Sequence, residues 1–98
     1  MDAIKSRGSN SVIVVRLPGP LVDLFPGSLR RVEMHAVNVR EMVDELNRLW
    51  PGMRDRICDS TPAIRRHINV FIDGKRANLE TPIEPGTEVF ILTAISGG

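Results

Sequence analysis

Alternation of apolar and polar residues predicts two strands that are buried on one side only. Residues 30–36 alternate strictly, with small or branched apolar side chains on one face and charged or polar ones on the other, which is typical of a half-buried strand. Residues 67–72 alternate in the same way. They run into Asp73-Gly74, a dipeptide typical of a tight hairpin turn, so residues 75–78 are expected to pair back antiparallel.

Two other runs are apolar without alternation, at residues 11–17 and at residues 88–93. A strand of this kind is covered on both faces, as in the centre of a sheet. The two runs are therefore predicted to form the central pair. Side by side and parallel, they need a crossover connection between them, which a helix supplies.

The strongest helix signal begins at Asn38, which with Glu41 forms a capping-box pattern. Pro51-Gly52 is expected to end this helix. At 100° per residue one side of it becomes an apolar stripe, which predicts core packing rather than a ligand groove. The stripe consists of Val39, Met42, Val43, Leu46, Leu49, Trp50 and Met53.

Two connecting segments carry weaker patterns. The proline-rich segment 18–27 is predicted to be a loop, whose apolar residues fold back on the core, namely Leu21, Val22, Leu24 and Phe25. Residues 53–66 are predicted to be an irregular crossover, in which residues 53–58 could add a short helical turn.

The order strand, strand, helix, strand, short strand, strand predicts an α+β fold, the ubiquitin-like β-grasp, with a mixed sheet of about five strands and one main helix on one face. Residues 1–98 form a single domain in this prediction. Residues 1–10 are expected to be a loose arm, and residues 94–98 a flexible reactive tail.

Composition narrows the function classes. The chain has 98 residues, 42% of them hydrophobic and 26% charged, which is ordinary for a globular domain and excludes a wholly disordered one. A net charge of +1 argues against a nucleic-acid-binding footprint, so the paired arginines at 30–31 and 65–66 are assigned to solvated faces. One cysteine, no signal-peptide pattern and no membrane-length apolar run predict a cytoplasmic protein without a membrane partner.

The candidate chemistry lies in the pair Gly97-Gly98. Two residues without Cβ can thread a narrow channel, and the Gly98 carboxylate is then the only reactive group. A carboxylate is a poor electrophile because it is anionic, so it requires prior activation, for example by ATP on a separate partner, since the chain contains no phosphate-binding glycine loop.

The number and spacing of cysteines and histidines disfavour a metal site and a catalytic thiol. One cysteine and two histidines without ligand spacing provide no metal site. Cys58 has His67 nine residues on but no signature around it, so a catalytic thiol is disfavoured. The chain is accordingly predicted not to be an enzyme.

Four segments carry a family resemblance. They are His67-Ile-Asn-Val-Phe-Ile-Asp-Gly-Lys, the turn Glu84-Pro-Gly-Thr-Glu-Val, the strand Phe90-Ile-Leu and the terminal Ala94-Ile-Ser-Gly-Gly. Together with the strand order they resemble the ThiS/MoaD family of ubiquitin-like sulfur carriers. The segment 51–66 makes the chain longer than compact thiamin-pathway carriers, and more similar to carriers of molybdopterin, cysteine or secondary-metabolite synthesis.

The resemblance implies a carrier mechanism. An activating enzyme of ThiF/MoeB type adenylates Gly98 with ATP, and a sulfur donor displaces the adenylate. The resulting thiocarboxylate gives its sulfur to a synthase of molybdopterin, cysteine, thiamin or secondary-metabolite synthesis. Gly97 and Ser96 provide clearance for the tail. The carrier binds no cofactor itself, although its tail can complete the active site of a synthase.

A docking surface for these partners is predicted on the sheet face away from the helix. Phe71 points opposite to its strand's inward residues and is the candidate apolar anchor, beside one set of alternate residues of the last strand. His35 and Arg31 are candidates for a polar rim. The competing prediction is that the proline-rich segment covers Phe71.

Two alternative functions remain open from the sequence. The same tail could be joined to lysines of other proteins, as in a ubiquitin-like modifier. The domain could also be a non-covalent β-grasp interaction module, because a fold does not fix a function. Because the sequence has the Gly-Gly pair, this non-covalent module is the least favoured of the three functions.

Overall fold

The computed structural model describes residues 12–61 and 63–93. The arm 1–10 and the tail 94–98 lie outside the described residues. Within them the chain forms five strands and three helices. The strands are β1 (Val12–Arg16), β2 (Arg31–His35), β3 (Ile68–Ile72), β4 (Lys75–Arg76) and β5 (Glu88–Thr93). The helices are α1 (Gly19–Leu24), α2 (Val39–Leu49) and α3 (Met53–Ile57).

The five strands form one mixed sheet in the order β2-β1-β5-β3-β4. β1 and β5 are parallel, and every other neighbouring pair is antiparallel. The predicted central parallel pair and the predicted β-grasp architecture are confirmed. β5 lies in the middle of the sheet, hydrogen-bonded to β1 on one side and to β3 on the other.

The core lies between the sheet and the helices. Alternate residues of β1 and β5 are fully buried, and the apolar side of α2 packs against them. Removing this apolar surface from water is the main source of stability for such a small domain. The largest fully buried side chains are Ile13, Val15, Val39, Met42, Val43, Leu46, Met53, Ile57, Val70, Val89 and Ile91.

The proline-rich segment is a helix, so the predicted loop is wrong for residues 19–24. Pro18 is the N-cap and a further proline lies in the first turn, where the missing N–H would have no partner inside the helix anyway. The prediction is also wrong for Leu24, whose side chain is 52% exposed. The other three apolar side chains do pack on the core, namely Leu21, Val22 and Phe25.

The N-cap of α2 is confirmed, whereas the reciprocal bond of the predicted capping box goes to Val37 N, one residue before the N-cap. Asn38 Oδ1 accepts a hydrogen bond from Glu41 N at 2.8 Å, and Glu41 Oε1 accepts one from Val37 N at 3.2 Å. The predicted apolar stripe is correct except near its end, where Leu49 is 38% exposed and Trp50 is only partly buried. Leu49 lies at the edge of the stripe at 100° per residue, and the helix has ended by Trp50.

The hairpin between β3 and β4 is also confirmed. Asp73 and Gly74 both have positive φ, 53° and 79°, as a type I′ turn requires. The pairing continues for two residues, Lys75–Arg76, rather than to residue 78. The predicted short helical turn after α2 is α3, and an isolated bridge between Cys58 and Ile64 closes the segment that follows it.

Candidate functional site

The central strand β5 directly precedes the predicted reactive tail, residues 94–98, in the sequence. β5 ends at Thr93, which pairs with Ile68 of β3, and three residues earlier Phe90 pairs with Arg16 of β1. The predicted covalent and clearance residues, Ser96, Gly97 and Gly98, lie outside the described residues. β5 is therefore held by both neighbours as far as Phe90 and by β3 alone as far as Thr93, the last described residue.

None of the helices in the described part of the chain packs on one face of the sheet, and we call this face the open face. It is defined by the side chains that alternate with the buried ones in the five strands. They are Val12, Val14, Arg16, Arg31, Glu33, His35, Asn69, Phe71, Arg76, Glu88, Phe90 and Leu92.

The registers place five of these side chains in one row across all strands. The order is Arg31, Arg16, Phe90, Phe71 and Arg76, each opposite the next. Phe90 is 41% exposed and Phe71 is half-buried beside it. Two aromatic rings therefore lie at the centre of the open face with guanidinium groups on either side.

The structure brings together two of the three predicted docking residues. Phe71 and Arg31 share the row, whereas His35 lies at the far end of β2, opposite Val12. The sequence prediction did not name Phe90 or Leu92, although Leu92 is 44% exposed on the same face. The signal was present, because both alternate with the buried residues of β5.

The competing prediction, that the proline-rich segment covers Phe71, does not fit the packing. Leu21 is part of the core, and the ring of Phe25 lies next to Gly52, where a Cβ would be 3.4 Å from Phe25 Cε1. These side chains therefore lie on the helix side of the sheet.

Ion pairs on the open face are exposed. Arg16 pairs with Glu88, and Arg31 Nη2 lies 3.1 Å from Glu33 Oε2. Exposed pairs of this kind contribute little to stability because water screens them. Their charges are thus available to be exchanged for groups on a partner.

Cys58 is not placed for nucleophilic chemistry. Its side chain is 4% exposed, and burial raises the pKa of the thiol. It adjoins a small cavity with residues of α2 and α3, whereas His67 lines a different cleft. Within 12–61 and 63–93, no three His, Cys, Asp or Glu side chains gather as a metal site would require. No helix in those ranges is long and apolar enough to cross a bilayer.

Comparison with known proteins gives a family and a set of structures. Residues 15–98 match the model of the ThiS family. No curated protein matches the sequence significantly.

Among solved structures, a chain of the Amycolatopsis orientalis BexX/CysO complex superimposes with a TM-score of 0.78 at 26% identity, covering 88% of this chain and 99% of that one. SAMP1 from Haloferax volcanii superimposes with a TM-score of 0.73 at 26% identity, covering 89% of this chain and 99% of that one. Mycobacterium tuberculosis CysO superimposes with a TM-score of 0.75 at 21% identity, covering 85% of this chain and 99% of that one, and shows the shared fold.

Proposed function

Because this chain belongs to the ThiS family, we propose that it is a sulfur carrier whose reactive group is the carboxylate of Gly98. The observation that carries the proposal is that the family match runs from residue 15, within β1, to Gly98. The β-grasp domain would be the handle that partner enzymes recognise.

The proposed reaction has three steps. A carboxylate oxygen of Gly98 attacks the α-phosphorus of ATP on a ThiF/MoeB-type activating enzyme, and pyrophosphate leaves. A sulfur donor at the oxidation level of sulfide then attacks the acyl carbon, and AMP leaves with its electron pair. The thiocarboxylate sulfur finally attacks an electrophile on the synthase, and water cleaves the acyl–sulfur bond, which returns the carboxylate.

In these steps the protein would position the reacting carboxylate of Gly98 rather than supply acid–base groups. β5 is paired with β1 as far as Phe90 and with β3 as far as Thr93, so the fold holds the strand that leads into the tail, while Ser96 and Gly97 would offer little bulk in a channel. Positioning of a reacting group can lower a barrier by several kcal/mol. The chain is a substrate of its partners in this scheme, not an enzyme.

The open face is the proposed contact for these partners. Phe71, Phe90 and Leu92 provide an apolar centre, and Arg31 and His35 provide polar groups at its margin. Interfaces favour aromatic and arginine side chains in this arrangement. The acceptor is proposed to be a synthase of molybdopterin, cysteine or secondary-metabolite synthesis.

The test is intact mass after incubation with a ThiF/MoeB-type activating enzyme, ATP and sulfide. Wild type is expected to gain the mass difference of one sulfur replacing one oxygen, and a Gly98 deletion to gain nothing. Gly97→Ala is expected to keep the fold and to slow the gain about a hundredfold, since a misplaced reacting group costs this much.

Omitting ATP is the control for non-enzymatic addition of sulfide. A folded wild type that gains no mass with several such enzymes contradicts the proposal and favours a non-covalent module. That module would also be favoured if blocking the Gly98 carboxylate left partner activity unchanged.

A second candidate is a protein modifier joined to lysines through Gly98. It is favoured by the similarity to SAMP1, a small archaeal modifier protein, at 26% identity. Gly-Gly remnants on lysines of other proteins, found after proteolysis and absent with the Gly98 deletion, would establish conjugation.

A further inference from the structure

A cleft of about 560 Å³ lies at the end of the sheet where β5 leaves the described structure. Leu24 and Phe25 of the α1 segment form its apolar part, and Arg56, Arg65 and His67 form its basic part. His67 directly precedes Ile68, which pairs with Thr93. The cleft is thus adjacent to the start of the proposed reactive tail.

The basic side chains of this cleft take part in no direct ion pair among the described residues. Five ion pairs exist among residues 12–61 and 63–93, and none includes Arg56, Arg65 or His67. Asp55 is the only acidic residue among the described residues that line the cleft. Arg65 acts electrostatically on Asp59 as well, so the side chain of Arg56 carries the positive charge with the fewest acidic neighbours here.

Part of the cleft is already ordered for binding. Arg65 Nε donates to the Asp55 carbonyl at 2.7 Å, and Arg65 N donates to the Ile57 carbonyl at 2.8 Å. These bonds fix the guanidinium against α3, so less side-chain entropy is lost when a ligand binds. The remaining guanidinium N–H groups are suited to a carboxylate, which they can bind in pairs.

Leu24 gives the cleft a second recognition element. Its side chain is 52% exposed although it is large and apolar, and it lies beside the basic groups. A free anion would use the cations alone. A peptide with acidic residues around an apolar one would use both parts, and the volume is within the range of about 300 to 1,000 Å³ typical of ligand sites.

We propose that this cleft binds an acidic segment with an apolar side chain, carried by the partner that receives the tail. The inference rests on the proposed carrier function and identifies a recognition element outside the open face. Charge complementarity of this kind mainly orients and accelerates encounter. The cleft would align the carrier while the tail enters the partner's channel.

The first test is an NMR titration of the isotope-labelled full chain with a capped peptide of leucine flanked by two glutamates on each side. A peptide with glutamine in place of glutamate is the control for charge. Backbone amides of residues 24, 25, 56, 65 and 67 are expected to shift with the acidic peptide only, and less at high salt. No shift at these amides, or equal shifts with inorganic phosphate, overturns the proposal.

Arg56→Glu is the test variant because Arg56 is exposed and its side chain takes part in no ion pair among the described residues. Lys75→Glu makes the same charge change at the hairpin, at the other end of β3. Arg56→Glu is expected to weaken peptide binding about five- to tenfold, as loss and reversal of one exposed charge would, and Lys75→Glu to leave it unchanged. Equal weakening of peptide binding by both variants would show only a general effect of net charge, and would overturn the proposal of a specific site in this cleft.

The second test is the KM of the chain in the activating reaction described above. Arg56→Glu is expected to raise KM by a similar factor with unchanged kcat, and Lys75→Glu to change neither. An unchanged KM for Arg56→Glu overturns the assignment to the partner. Failure of wild type to gain sulfur would instead contradict the carrier function, and the peptide titration does not depend on that result.

Discussion

At the scale of single residues, Cys58 shows how burial decides chemistry. The thiol lies beside α2 and α3 in the lining of a small cavity and is 4% exposed. Desolvation raises its pKa, because a thiolate is disfavoured away from water. A thiol of this kind is a structural side chain rather than a nucleophile.

We expect native Cys58 to resist a thiol reagent at neutral pH and to react only after unfolding, and Cys58→Ala to keep the sulfur gain. A thiol whose folded pKa is raised stabilises the fold below the ordinary thiol pKa, and that contribution is lost as pH rises. The unfolding free energy of wild type should therefore fall relative to Cys58→Ala at alkaline pH. Rapid labelling of folded protein would contradict this account.

The direction of a side chain can be predicted from the sequence where the two-residue repeat of a strand alone determines it. The outward direction of Phe71 follows from the two-residue repeat of a strand, and the structure places it on the open face. Its pairing with Phe90 could not be predicted from the sequence alone, since register between distant strands depends on the assembled sheet.

At the scale of elements, the N-cap of α2 is a local interaction with a measurable contribution. Asn38→Ala removes the acceptor for Glu41 N and is expected to lower the unfolding free energy by about 1 kcal/mol. Asn38→Asp keeps an oxygen in the same place and is expected to stay close to wild type. Chemical denaturation of the three proteins checks this, and equal losses for both variants would show that the side-chain bond is not the cause.

The helix α1 is the element that the sequence prediction missed. Prolines in a segment predict a loop, but proline disrupts a helix only beyond its first turn. Pro18 precedes the helix and Pro20 lies in its first turn. The helix also explains why Leu24 is exposed. Leu24 lies in the last turn, where its side chain faces solvent, whereas a loop folded back on the core would have buried it.

At the scale of the whole molecule, the open face makes a prediction about partner recognition. Phe90→Ser removes a 41% exposed ring and is expected to raise KM in the activating reaction about tenfold with little change in kcat, as loss of a central aromatic contact does. Leu49→Ser, which changes a 38% exposed residue of α2, is the matched control. An equal KM effect in both variants would exclude the open face as the contact surface.

The central parallel pair was predictable because few connections between such elements satisfy the rules of chain crossing. The basic cleft was not predictable in the same way. Its side chains come from α1, from α3 and from the segment before β3, and only the folded chain brings these distant positions together.

The position of β5 also governs when the molecule can fold. This strand is the last described element in chain order, yet it joins β1 to β3. On the ribosome, β1 and β2 can pair early, but they stay separate from β3 and β4 until residue 93 has emerged. Two-stranded pieces are marginally stable in water, and pairing between distant segments is slow. Folding of the handle should therefore be completed only when β5 is available, so a nascent chain stopped before Glu88 should remain sensitive to protease.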